Sequence, residues 1–334
     1  MGSKMKFLII GLGSMGKRRI RNLLALGITE IAGYDIREDR IKEAKQKYSI
    51  RTYSSFEQAC KDYIPDVFVI STPPDKHIEY AYFGYKNNIH CFIEASVTDA
   101  NKILELYNLT KDKHLIFAPS CTMRYYPGPK KVRELLEAGL IGDVLNINYH
   151  SGQYLPDWHT WERIEDYYVS KRETGGCREI VPFELTWMND IWGIPSVLGL
   201  IKDKLTNINA DIDDIYHCIL RYNKIICNLT IDVIARPKAV RELRILGTEG
   251  ILEWSSESNY VRYLNINQKD WIIFNLEKGS VELNYINPEE PYVNEMKDFV
   301  DAIRKNDKSL FPNDLKKDFE VLKILLDLES LNKN

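Results

Sequence analysis

Apolar residues in the first third of the chain come in short runs that alternate with stretches of helical spacing. Residues 6–10 form one such run, ending at a glycine. Ile20, Leu23, Leu24 and Leu26 then recur every three to four positions up to Gly27, the pattern of a helix with one buried face and a glycine stop. Residues 30–34 read as the next strand and 38–48 as a charged helix. A strand rich in Val, Ile and Phe at 66–71 leads into a helix at 77–86. Two more strands, 90–94 and 115–118, flank a helix across Ile103, Leu104 and Leu106. Strands alternating with helices of this length predict βαβ units and a doubly wound parallel sheet, an α/β fold.

Beyond Pro119 the pattern changes. A helix at 129–137 precedes Gly139 and Gly142, and a strand follows at 145–150. The next helix is expected over 182–191, with Pro182 in its first turn. Consecutive strands are expected at 205–210, 215–222, 225–234, 241–246, 251–254, 260–264 and 271–274. Two helices within 293–331, parted by a loop at 306–312, complete the pattern. The expected organisation is a first domain over 1–121 and an α+β domain over 122–334 with a large, mostly antiparallel open sheet. The helices of 293–331 are expected to pack back on the first domain.

The chain has 334 residues, enough for about two domains and a sizeable core without a metal or disulfide staple. Its 45 Lys+Arg against 48 Asp+Glu leave a net charge of −3, which gives no bulk electrostatic reason to bind nucleic acid or an anionic membrane. No apolar run approaches the ~18 residues that span a bilayer. The six cysteines contain no C-x-x-C pair, so reduced thiols in a cytoplasmic protein are expected, and no metal site.

Gly11-Leu12-Gly13-Ser14-Met15-Gly16 is a G-x-G-x-x-G loop that follows a strand and opens a helix. The first glycine permits the tight turn, the second a close approach to a pyrophosphate, and the third close helix–strand packing. The helix start, with Ser14 and Met15, faces the phosphates with its partial positive charge. Asp35, nineteen residues after Gly16, ends the second strand, where a carboxylate accepts from ribose hydroxyls and repels a 2′-phosphate. NAD is therefore expected over NADP. Ile36 and Arg37 adjoin the same site, and Arg37 and Arg40 keep the NADP alternative open.

From these residues onward the chain resembles the Gfo/Idh/MocA family, the glucose–fructose oxidoreductase and inositol dehydrogenase group. The resemblance rests on the ordered succession of the glycine loop, Ser71-Thr72-Pro73-Pro74-Asp75-Lys76-His77, Met123-Arg124-Tyr125-Tyr126-Pro127, the stretch from Leu135 to Val144, and Phe299-Val300-Asp301-Ala302-Ile303. It implies a Rossmann domain, NAD(P), hydride transfer to or from a sugar or polyol carbon, and homodimers or homotetramers built on the exposed sheet face. It also implies that Ser71, Thr72, Pro73, His77 and Glu94 border the cofactor and that Arg124 lies near the cofactor–substrate junction. His77 has a second reading, as a helix-start residue that only bonds backbone.

Two departures bear on mechanism. Where the family usually has Glu-Lys-Pro, this chain has Glu94-Ala95-Ser96, so Glu94 is kept and the lysine is absent. Where the family often has Gly-Gly, an Asp and then a His, this chain has Gly175-Gly176, Glu179 and Phe183. Neither Ala nor Phe can move a proton. Removing a hydroxyl proton during hydride transfer is worth ~10²–10⁴-fold, so another group must do it. Glu179, Glu184 and His159 are the candidates for catalysis, with Lys171 and the tyrosines at 126, 154, 167 and 168 behind them; an acid at 179 or 184 reads equally as a holder of sugar hydroxyls. The aromatic loop offers Tyr154, Trp158 and Trp161 to stack on sugar C–H faces, unless it packs its own tryptophans or forms an oligomer contact; Lys171 could take an anionic group, although an exposed charged turn explains Lys171-Arg172 better.

The expected function is an NAD-dependent oxidoreductase acting on a sugar, amino sugar or nucleotide sugar. Two alternatives stand beside it: an enzyme that retains NAD for non-redox sugar chemistry, as in glycoside cleavage or epimerisation, and a catalytically lapsed protein that binds NAD and a sugar.

Overall fold

The computed structural model describes residues 5–158 and 162–331. The chain divides into two compact units, one of Met1–Thr122 and Glu289–Phe319, the other of Met123–Pro288 and Glu320–Asn334.

The first unit is built on six parallel strands, β1 (Phe7–Ile10), β2 (Ile31–Tyr34), β3 (Arg51–Tyr53), β4 (Val67–Ile70), β5 (His90–Ile93) and β6 (Phe117–Pro119), in the order β3-β2-β1-β4-β5-β6. Every residue of β1 and β4 is buried, which is why both read as unbroken apolar runs: each face of the sheet is covered by helices. The connections are α1 (Ser14–Ala25), α2 (Glu38–Tyr48), α3 (Phe56–Tyr63), α4 (His77–Lys86) and α5 (Ala100–Thr110). The strand order reverses between β1 and β4, and a crevice for a ligand opens at the carboxyl ends of strands at such a point. β3 and α3 have no counterpart in the sequence reading. A three-residue strand carries too little apolar pattern to register.

The second unit begins with α6 (Pro127–Glu137) and β7 (Val144–Gly152), continues through α7 (Cys177–Trp192), and then runs β8 (Ser196–Asp203), β9 (Ile215–Tyr222), β10 (Ile225–Asp232), β11 (Val240–Gly247), β12 (Gly250–Ser255), β13 (Tyr260–Asn265) and β14 (Ile272–Asn275). These strands form one sheet ordered β14-β13-β12-β11-β7-β10-β9-β8, antiparallel except for the β7–β10 pair. α6 and α7 cover one face, against β12–β13 and β9–β10 respectively. Along β9 the residues accordingly alternate, with Tyr216, Cys218 and Leu220 buried and Ile215, His217, Ile219 and Arg221 toward the open face.

Two expected boundaries are corrected. Residues 205–210 are not a strand, which runs instead over Ser196–Asp203; the fully buried Asp214 carboxylate gathers the 205–210 stretch into a loop, accepting from the Leu205 and Thr206 amides at 2.8 and 2.9 Å. α7 begins five residues before Pro182, directly after Gly176 at φ +64°, so the proline lies inside the helix. The last helices are α8 (Glu290–Lys305) and α9 (Leu315–Leu331). Among the described residues no helix is long and apolar enough to cross a membrane.

Candidate active site

In the first unit the glycine loop bends from β1 into α1. Gly11 has φ +93°, and a Cβ on it would lie 2.6 Å from the Ser71 carbonyl oxygen. A Cβ on Gly16 would lie 1.8 Å from the Gly11 carbonyl oxygen. Both are glycine because the fold leaves no room. Gly13 differs, since a Cβ there would meet only the tip of the flexible Arg40 guanidinium, at 3.4 Å. Packing does not demand glycine at 13, and the approach of a ligand would. Gly13 caps α1 without a side-chain bond, and the first turn holds no acid, so the positive end of the helix is not neutralised from within the turn.

Asp35, 5% exposed, accepts from the Leu12 amide at 2.7 Å and from the Arg37 amide at 2.9 Å. It thereby locks the loop to the end of β2. Arg37 is bonded to Asp39 at 2.6 and 3.1 Å, while Arg40 stands 3.9 Å from the Asp35 carboxylate. Ile36 is 82% exposed, an apolar surface next to the acid.

After β4, Ser71 and Thr72 pack their backbone on Gly11, and Pro73 is exposed. His77 is buried and its Nε2 donates to the Thr72 carbonyl at 2.8 Å. Burial holds its pKa below the ordinary histidine value, so the ring is neutral and its Nδ1 is an acceptor. Neither that Nδ1 nor the buried Thr72 Oγ1 has a partner among the described residues. His77 thus bonds backbone through one ring nitrogen and has the other to spare among the described residues.

Glu94 is engaged within its own unit. Arg19 grips it through two bonds of 2.7 and 3.0 Å, Ser71 Oγ donates at 3.3 Å, and Arg19 reaches Glu295 at 2.9 Å. Glu295 in turn accepts from Ser120, the Cys121 amide and Thr122 at 3.0, 2.6 and 2.6 Å. This triad stitches the ends of β5 and β6 to α1 and α8.

In the second unit the two acids of α7 part company. Glu184 is fully buried and accepts from Tyr149 OH at 2.7 Å, Ser151 Oγ at 2.8 Å, Arg241 Nε at 3.0 Å and Trp187 Nε1 at 3.1 Å. With both oxygens doubly occupied and no exposure it has nothing to offer a substrate, and the expectation that it acts in catalysis is corrected to a structural role. Glu179 has one such bond, from Tyr168 OH at 2.7 Å, and its buried Oε2 has no partner among the described residues. Burial pushes its carboxyl up to about 7, partly offset by the Tyr168 bond. Tyr168 is held in place by Thr174 Oγ1, which donates to its carbonyl at 2.7 Å. The absence of a side chain on Gly175 lets that turn lie against the start of α7, for a Cβ would come 2.0 Å from the Val169 oxygen. Phe183 is one helical turn beyond Glu179, on the same face.

The remaining candidates are dispersed. Arg124 pairs with Asp190 of α7, whose second oxygen takes Arg133. Tyr154 stacks beneath Arg236, 4.1 Å from its ring centre, and the buried Trp158 Nε1 has no partner among the described residues. His159 and Trp161 lie outside the described residues. Lys171 is exposed, beside an Arg172 committed to Asp211 and Asp213 at 2.9 and 2.6 Å. Two polar groups escaped the sequence reading. His150 Nε2 contacts Asp232 at 2.5 Å, with Asp232 fixed by the Ile234 and Ala235 amides at 3.0 and 2.8 Å. Asp318 is buried on α9, and its three-residue spacing from Leu315 on the apolar stripe was the available signal. Among the described residues no cluster of three or more His, Cys, Asp or Glu is placed to hold a metal ion.

Two family models match the chain: an oxidoreductase family with an NAD-binding Rossmann fold over residues 5–120, and the GFO/IDH/MocA C-terminal domain over residues 130–253. Among characterised proteins, a D-xylose 1-dehydrogenase (NADP(+)) from Hypocrea jecorina is 27% identical over 128 residues, 35% of this chain and 32% of that one. A myo-inositol 2-dehydrogenase from Thermotoga maritima is 27% identical over 144 residues, 41% of this chain and 42% of that one. Both alignments thus span less than half of the relative's length. Among solved structures, a levoglucosan dehydrogenase in complex with NADH superposes with a TM-score of 0.83 at 17% identity, covering 98% of this chain and 97% of that one. A UDP-N-acetylglucosamine 3-dehydrogenase from Acidithiobacillus ferrooxidans gives 0.76 at 18% identity, with the same coverage. At these identities the superpositions establish the fold alone. With the parallel sheet, the glycine loop and the eight-stranded sheet matched in one order, the chain belongs to the GFO/IDH/MocA oxidoreductase family.

Proposed function

We propose that the chain is an NAD-dependent oxidoreductase that transfers a hydride to or from a hydroxyl-bearing carbon of a sugar, amino sugar or nucleotide sugar. The observation that carries this reading is the cradle in the first unit, where Gly13 is bare without a packing reason and Asp35 stands at the end of β2. The start of α1 would take the pyrophosphate, Asp35 the adenosine ribose hydroxyls, and Ile36 the adenine face. Thr72 Oγ1 and His77 Nδ1 are further polar atoms at the carboxyl end of β4 with bonding capacity left. Asp35 favours NAD over NADP, and Arg37, already bonded to Asp39, is poorly placed to answer a 2′-phosphate. The dinucleotide, when bound, accepts or supplies the hydride.

The proton is assigned to Glu179. Its Oε2 is the acceptor when the substrate hydroxyl is oxidised and the donor in the reverse direction, with Tyr168 fixing the carboxyl through the other oxygen. A carboxyl near pKa 7 is suited to both roles. The names of the matched dehydrogenases, which act on xylose, inositol, levoglucosan and a nucleotide sugar, support a polyhydroxylated substrate. The open sheet face, with Ile201 72% exposed, is the expected contact in a homodimer or homotetramer.

Calorimetry on the full chain with NADH and NADPH tests the cofactor, and the absorbance of reduced nicotinamide across a panel of sugars, sugar phosphates and nucleotide sugars tests the reaction. Tighter binding of NADH than NADPH and turnover on at least one compound are expected. Binding of neither nucleotide overturns the reading.

A further inference from the structure

Most buried acids of the first unit are matched to a cation: Glu94 and Glu295 share Arg19. Asp318 is not. It is 6% exposed, because α9 carries it on the same stripe as Leu315, Val321, Leu322 and Leu325, all buried. Ser96 Oγ donates to its carboxyl, and its Oδ2 has no partner among the described residues. The charge that acts on it is Asp314, of the same sign, and Ala95 beside Ser96 brings none. A buried carboxyl without a cation costs stability, so its presence calls for another explanation.

Its position supplies one. Ser96 follows the end of β5 by three residues, and Thr98 Oγ1 donates to the Pro74 carbonyl at 3.3 Å, tying this segment to the turn after β4. Asp318 is therefore anchored at the carboxyl ends of β4 and β5, across the strand-order reversal from β2 and Asp35. In a fold of this order the dinucleotide extends across that point, with adenosine on the β2 side and the second nucleoside on the β4–β5 side. The second nucleoside is the one whose charge changes: an oxidised nicotinamide ring is cationic and a reduced one is neutral.

We infer that the Asp318 carboxyl, held by Ser96, is the counter-charge for the oxidised nicotinamide ring and sets the preference of this chain between NAD+ and NADH. The inference rests on the cofactor reading above. Burial pushes the Asp318 carboxyl up to about 7, reinforced by Asp314 and opposed by the Ser96 bond, and its place in the first turn of α9 favours the ionised form. The counter-charge thus switches on as pH rises through neutrality. On the same side of the sheet burial holds His77 below the ordinary histidine value, and Glu94 is matched by Arg19. Glu179, which titrates in the same range, belongs to the other unit and has its own control.

Calorimetry on the full chain with NAD+ and with NADH at pH 6 and pH 8 reads the effect. Between the two, affinity for NAD+ should rise about fivefold relative to that for NADH, the scale of one screened charge pair. The ratio should stay flat in Asp318→Asn and keep its wild-type trend in Glu179→Gln. Ser96→Ala, which keeps the carboxyl but removes its donor, should move the midpoint of the trend to higher pH, and it serves if Asp318→Asn does not fold. A wild-type ratio that is the same at both pH values, or a trend that survives Asp318→Asn, overturns the inference while leaving cofactor binding intact. Failure of both nucleotides to bind removes the cofactor reading and this inference together.

Discussion

Glu184 and Glu179 are carried by one helix, five residues apart, yet the fold consumes them to different degrees. Glu184 meets four donors from two strands and its own helix, so its charge is fully answered. Glu179 meets one tyrosine hydroxyl and keeps a buried oxygen with no partner among the described residues. The same contrast recurs in the first unit between Glu94, held by Arg19 and Ser71, and Asp318, held among the described residues by Ser96 alone. Saturated acids have every acceptor site and their position taken up by the protein. Under-used ones are held near neutrality by burial and retain an atom with which to bind or exchange a proton.

The largest expected effect lies on the saturated side. Glu184→Ala leaves Arg241 buried without its counter-ion and strips Tyr149 and Trp187 of their acceptor, which should cost roughly 3–5 kcal/mol in urea unfolding. A loss below about 1 kcal/mol would mean that the four bonds do not act as a unit. Glu179→Gln should behave in the opposite way, with the thermal midpoint held or raised and kcat/KM lowered roughly 10²–10⁴-fold. In the wild type, kcat/KM for oxidation should climb as pH passes about 7, since the base must be ionised, and reduction should decline over the same range. If Glu179→Gln keeps both rate and pH profile, the proton goes elsewhere.

Asp318→Asn extends the comparison to stability. The folded carboxyl titrates near 7, above its usual 3.8, so the native state holds a proton there that the unfolded chain has already released. Its favourable contribution is complete below about pH 4 and is lost as pH rises through 7. The asparagine variant should therefore match the wild type near pH 4 and exceed it by about 2 kcal/mol at pH 8, less than the full shift allows because the variant keeps a Ser96 contact. Equal stability at pH 8 would place the carboxyl in contact with water.

Much of the architecture was legible because two-sided burial writes itself as unbroken apolar runs, as in Phe7–Ile10 and Val67–Ile70. One-sided burial wrote the alternation of β9. Where a strand lies at a sheet edge the signal fades: β8 exposes Ile201 at 72% and Leu198 at 46%, so its apolar residues obey no period. Pro182 misled because proline marks a first turn far more often than an interior position. The glycine loop and Asp35 were readable since their chemistry is local in sequence. Whether an acid is saturated is decided by partners distant along the chain, Tyr149 and Arg241 for Glu184 and Ser96 for Asp318, and no spacing rule reports that.

The smallest expected effect applies the same distinction to glycine. The missing side chain of Gly16 is used by the fold, which places the Gly11 oxygen where a Cβ would be, whereas that of Gly13 faces only the Arg40 tip. Gly13→Ala can be accommodated by a few tenths of an ångström of movement in a flexible guanidinium, so the thermal midpoint should stay within error of the wild type. A methyl group on the face that approaches the pyrophosphate should instead weaken NADH binding by about tenfold, near 1.4 kcal/mol. Both readouts matter. Unchanged affinity with unchanged stability would reduce the loop to a turn that happens to contain three glycines, and a large loss of stability would make Gly13 a packing residue like its neighbours. Only weakened binding on an intact fold leaves Gly13 as the one glycine of the loop that a ligand, rather than the chain, requires.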